Sequence, residues 1–171
     1  MKHKLLVYCL CATTLFASEP LQLRLENLTF TSPANWVDVP VTSPMRKATW
    51  RSSAGADAVE IAFFAFGKDQ GGTVNENIQR WYGQFSESAT KGESATVEIA
   101  GNKVTFARSE GIFSSGMPGG PTTPMADYAL CGAIIETSAG MVFLKMTGPK
   151  SAVTKMEAAF TEMVQTASKT N

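Results

Sequence analysis

The chain has 171 residues, 44% of them hydrophobic, with 15 basic residues against 15 acidic ones and a single histidine, His3. That length suits one domain, and the balanced charge gives no basic surface for nucleic acid and no electrostatic pull toward an anionic membrane. With His3 expected to be removed with a leader, Ser-His-Asp and Cys-His catalysis and histidine-based metal sites are excluded.

The leader is read from "MKHKLLVYCLCATTLFASEP". Lys2, His3 and Lys4 make a positive start, Leu5 to Phe16 a short apolar run, and Ala17-Ser18 a small-residue cleavage site. This is the pattern of a secretory signal peptide over residues 1–17, too short for a membrane span. Tyr8 before Cys9 and Leu10 before Cys11 do not fit a lipoprotein signal. Residues 18–171 are then a single exported domain, periplasmic or secreted, with a net charge of about −2 because Lys2 and Lys4 leave with the leader. Cys131 remains as its one cysteine, so no intramolecular disulfide is expected. No later apolar run is long enough to cross a bilayer.

Leu28 and Phe30 predict a first short strand. Pro33 and Pro40 bracket Trp36 in a turn-rich segment, and Arg46 to Trp50 open another strand. "ADAVEIAFFAFG" predicts a central strand. Val59, Ile61, Phe63 and Ala65 share one face, and Ala58, Ala62, Phe64 and Phe66 the other, interrupted only by Glu60. A helix follows, its apolar stripe formed by Val74, Ile78, Trp81 and Phe85. Thr73 is placed to cap it and Glu76 to reach back, as in a capping box.

"SESATKGES" reads as a polar loop. "ATVEIAGNKVTFARSEGIF" reads as a hairpin turning at Gly101-Asn102. Ser114 to Asp127 form a glycine- and proline-rich loop. "YALCGAIIETSAGMVFLKMTG" predicts a second hairpin turning near Ser138 to Gly140, with a central first strand. Pro149 starts a C-terminal helix that buries Val153, Met156, Phe160, Met163 and Ala167. The fold class expected is α+β, an α/β/α sandwich around a mainly antiparallel central sheet.

Several stretches carry candidate chemistry. "GKDQGGT", from Gly67, resembles a phosphate loop but lacks the lysine that belongs between the last glycine and the threonine. Gly71 and Gly72 are read first as a tight strand-to-helix turn and second as backbone donors for an anion. On the helix, Asn77, Arg80 and Gln84 form a polar strip beside Trp81. That strip, with the Gly71-Gly72 turn, the Met45-Arg46 segment and the Gly/Pro loop near Met117, makes the candidate recognition surface. Cys131, in "ALCGA", reads as a small buried hydrophobe. Met45, Met117 and Met125 lie in loop contexts with no partner residues for copper. No carboxylate pair of the kind used by glycosidases is evident, and no cofactor is called for.

"PANW" after a first short strand, then "SPMRKATW" and "FGKDQGGTVNENIQRWYGQF", resemble the PsbP-like (Mog-like) fold and a group of exported bacterial proteins. The resemblance covers Leu21 to Ala167. It implies an α/β/α sandwich and a role in binding or assembly with other proteins, with no catalytic residues to carry over. The expected function is therefore a non-catalytic exported binding or assembly module whose partner is an envelope protein or a small ligand. The alternatives are a small-ligand or anion carrier and a carboxylate-dependent hydrolase.

Overall fold

Alternating apolar residues make most of this chain strand, and hairpin turns bring those strands together in sequence order. The architecture is seen in a computed structural model that describes residues 19–41, 43–52, 55–86, 92–115 and 123–169. The expected signal peptide and Met117 lie outside the described residues.

A two-stranded hairpin of β1 (Gln22–Leu25) and β2 (Leu28–Thr31) precedes the main sheet. The sheet contains β3 (Trp36–Asp38), β4 (Ala48–Ser52), β5 (Glu60–Gly67), β6 (Phe85–Ser86), β7 (Glu93–Ile99), β8 (Asn102–Ser115), β9 (Thr123–Glu136) and β10 (Gly140–Pro149). Its order is β3-β4-β5-β10-β9-β8-β6, with β7 also pairing with β8, and every described pairing is antiparallel. Helix α2 (Lys150–Lys169) and the β1-β2 hairpin cover one face, and helix α1 (Val74–Tyr82) lies on the other. This is the α+β, α/β/α arrangement expected.

Two cores result. Beneath α2, Phe30, Phe63, Ile135, Leu144, Met146 and Phe160 are almost wholly buried. Beneath α1, Ile78, Trp81 and Phe85 pack on Leu130, Ile134 and Phe143. β5, β9 and β10 lie inside the sheet and have one face in each core, which explains their nearly continuous apolar sequences.

Several boundaries differ from expectation. Helix α1 ends at Tyr82, so Phe85 of the expected helical stripe lies in β6, where it pairs with Phe113, and Pro149 closes β10 opposite Tyr128 while α2 starts at Lys150. Trp36–Asp38 is an edge strand, because its backbone pairs with Asp38↔Trp50 and its neighbours on β4. The first hairpin turns at Ala100-Gly101, both at positive φ (49° and 81°), because Ile99 pairs with Asn102 and a two-residue loop places both central residues in the left-handed region. Its strand β7 also takes in Glu93 and Ser94 of the expected loop. Finally, β8 and β9 run past the expected loop boundaries, with Phe113↔Met125 and Ser114↔Pro124 in register after a bulge between Gly111 and Phe113. Such a bulge bends the strand that carries it and increases its local twist.

Candidate functional site

The helix start behaves as a closed unit. Thr73 Oγ1 accepts from the Glu76 N–H at 3.2 Å, and the Glu76 carboxylate accepts from the Thr73 N–H at 2.8 Å. The backbone and side-chain donors of Thr73 hold the Glu76 carboxyl below its ordinary range. The helix N-terminus is thus already serving the chain's own carboxylate. Gly71 and Gly72 sit at φ 83° and 79°, and a Cβ on Gly71 would meet the Phe66 ring at 2.9 Å, so both residues shape the turn.

Asn77 is 6% exposed. Its Nδ2 donates to Gly71 O at 2.8 Å and Thr73 O at 2.9 Å, and its Oδ1 accepts from Arg80 at 2.8 Å. Both ends of the amide are engaged within the turn. Arg80 is exposed beside it. Trp81 is 8% exposed and belongs to the core beneath α1. Met45 is 62% exposed, in the turn before β4.

Gln84 and Arg46 meet elsewhere, around a residue that the sequence reading passed over. Lys145 stands on β10 between Ala62 and Gly132, its register partners on β5 and β9. Both partners are small, so the amine rises from the sheet into a groove of about 480 Å³. Arg46, Arg51 and Glu60 form one wall, Gln84, Phe113 and Tyr128 the other. Met125 and Phe64 add apolar surface. A volume of this order fits a small ligand.

The geometry of the wall is set by ion pairing. Arg46 donates to Glu60 Oε1 and Arg51 to Glu60 Oε2, each at 3.0 Å, and Arg46 also reaches Thr49 Oγ1 at 3.3 Å. The two guanidinium groups thus divide one carboxylate between them. Opposite, the Phe113 and Tyr128 rings stack with an interplanar angle of 3°. The Lys145 Nζ lies 5.1 Å from the Phe113 ring centre, a cation–π arrangement, and donates to Gln84 Oε1. Gln84 is held there by its backbone, whose carbonyl accepts from the Ser114 N–H at 2.8 Å.

Burial and then the nearby Arg46 charge pull the Lys145 amine down from 10.5 to about 8, against the weaker support of Glu60. The signal that could have found it is visible in "MVFLKMTG": one charged residue in the middle of an apolar central strand. Strand periodicity marks that position as facing the α1 side, but not as lying in a gap that α1 leaves uncovered.

Cys131 is buried on the α2 face, and burial pushes its thiol up to about 12, which leaves no thiolate for nucleophilic work. Among the described residues, no group of three or more His, Cys, Asp or Glu side chains is placed to hold a metal ion. Among them, too, no helix is long and apolar enough to cross a membrane.

No protein-family model matches the chain, and no curated protein does. The fold is nevertheless shared with a solved structure. The solution structure of cyanobacterial PsbP (CyanoP) from Synechocystis superposes with a TM-score of 0.61 over 91% of this chain and 95% of that one, at 10% identity. A protein of unknown function from Pseudomonas aeruginosa aligns over 87% of this chain and 96% of its own at 12% identity, with a TM-score of 0.45. The fold is therefore PsbP-like, and at this identity the likeness concerns the fold alone.

Proposed function

We propose that the chain is an exported, non-catalytic binding module that takes its ligand in the groove around Lys145. The observation that carries this reading is the placement of an amine at the floor of an open groove, hydrogen-bonded to Gln84 and to no carboxylate among the described residues. A charge withdrawn from water without an ionic partner is costly. It is retained more readily where a ligand completes its surroundings. The groove's size favours a small ligand over a protein partner. Two of the expected recognition residues, Arg46 and Gln84, line it. The hydrolase alternative would need two cooperating carboxylates, whereas Glu60 is engaged by two arginines.

The test has two parts. Full-length protein expressed in a Gram-negative host should be recovered from the periplasm about 17 residues shorter, as signal cleavage predicts. That exported protein should then show ligand-induced thermal shifts that vanish when the groove is filled by Ala62→Phe or Thr147→Phe. Recovery of an unprocessed cytoplasmic protein would remove the export half of the proposal. Shifts unaffected by both fillings would remove the groove.

A further inference from the structure

Resting on that groove reading, we infer that its ligand is a small amphipathic organic anion: a carboxylate gripped by Lys145, with an apolar body laid against Phe113, Tyr128 and Met125.

The argument starts from charge. The groove holds three cationic side chains, Arg46, Arg51 and Lys145, and one carboxylate, Glu60. Glu60 places one oxygen on each arginine, so both of its oxygens are engaged away from Lys145. The surplus is about two positive charges around the groove. At its floor, where Lys145 is largely withdrawn from water, an anion interacts with the amine with less screening than at a fully exposed surface, and the two arginines add to that attraction.

The walls then restrict the anion's body. Phe64, Phe113, Met125 and Tyr128 offer ring faces and a thioether, while the polar donors gather at the floor and the Arg46 side. Arg46 lies over Phe64 at 6.0 Å and Lys145 over Phe113 at 5.1 Å, so the donors and the apolar surface are continuous. A bare inorganic anion would use the donors and leave the apolar wall wet. A neutral apolar compound would leave Lys145 uncompensated. An organic carboxylate satisfies both parts. Gln84 keeps a role in either state, since its amide can hold the amine before the ligand arrives.

Proton linkage gives the inference a distinct signature. The groups facing Lys145 are Arg46 from the loop before β4, Arg51 from β4, Glu60 from β5, Tyr128 from β9 and Gln84 from the end of α1. The free amine loses its proton near pH 8. A bound carboxylate holds that proton to higher pH, so affinity falls as pH rises above about 8, by up to about ten-fold per unit.

Isothermal titration of the exported protein with matched pairs tests this: hexanoate against hexanamide, and benzoate against benzamide, with inorganic phosphate as the bare anion. The expected result is at least a ten-fold preference for each carboxylate over its amide and over phosphate. Lys145→Met abolishes that preference, Lys145→Arg keeps most of it, and Glu60→Gln strengthens carboxylate binding several-fold. Equal binding of amide and carboxylate, or full carboxylate binding by Lys145→Met, overturns the inference. If the amides bind and Ala62→Phe blocks them, the groove reading survives without the anion. If nothing in either series depends on Ala62→Phe or on Thr147→Phe, both readings fall. Circular dichroism of each variant separates lost binding from lost folding.

Discussion

The Trp81 indole closes onto Gly132 so tightly that a Cβ there would stand 2.3 Å from Cζ3. Gly132 is also the β9 register partner of Lys145. The missing side chain therefore serves two ends: it seats α1 on the sheet, and it leaves room for the amine beside it. Three residues after Trp81, Gln84 arrives over Lys145. Gly132→Ala should force the indole outward, destabilise the fold by about 1–3 kcal/mol and weaken ligand binding in the groove. Chemical denaturation together with titration of a carboxylate checks both effects in one variant.

Lys145 should cost stability. Its folded-state value of about 8 lies below its ordinary 10.5, so at neutral pH both folded and unfolded states carry the charge and only the folded state withdraws it from water. Lys145→Met should raise stability at pH 7 by about 1–3 kcal/mol. For the wild type, this deficit is full below pH 8 and disappears as pH rises through 8 toward 10.5, where the amine is neutral in both states. The gap between variant and wild-type melting temperatures should therefore close across that window. A gap that stays constant to pH 10.5 would mean that the methionine acts through packing alone.

The cap of α1 has the opposite pH behaviour. Glu76 is held below its ordinary value by Thr73, so its contribution is present above the ordinary carboxylate range and is lost as pH falls through the lowered folded value. Thr73→Ala should destabilise the protein by about 1 kcal/mol at pH 7. The difference from wild type should shrink in acid, as thermal melts between pH 7 and pH 3 would show.

Cys131 should be silent. With burial pushing its thiol up to about 12, a thiol reagent should label it only as fast as the protein unfolds. Rapid stoichiometric labelling of the folded protein at pH 8 would show that the strand opens locally.

Much of the fold was legible locally. Apolar alternation marked β5 and β9, and their apolar residues on both faces placed them inside the sheet. The Thr73/Glu76 spacing announced a capping box, which is present. Trp36–Asp38 was missed as a strand because three residues carry almost no periodic signal, and only β4 supplies their hydrogen bonds. The ends of β8 and β9 were missed because glycine and proline suggested a loop, whereas pairing across the bulge keeps Met125 and Phe113 in strand.

The strip of Asn77, Arg80 and Gln84 shows where local reading stops. Helical spacing correctly aligned Asn77 with Arg80, and those two bond to each other. Gln84 lies beyond the end of α1 and turns instead toward a lysine 61 residues further along the chain. The sequence by itself determined the strands, the capped helix and the apolar faces, because these depend on residue spacing within one element. Tertiary structure alone decided the groove. Its charged groups, aromatic wall and amide come from the loop before β4, from β4, β5, β8, β9 and β10, and from the end of α1, and only the register of the sheet and the fit of Trp81 on Gly132 bring them to one place.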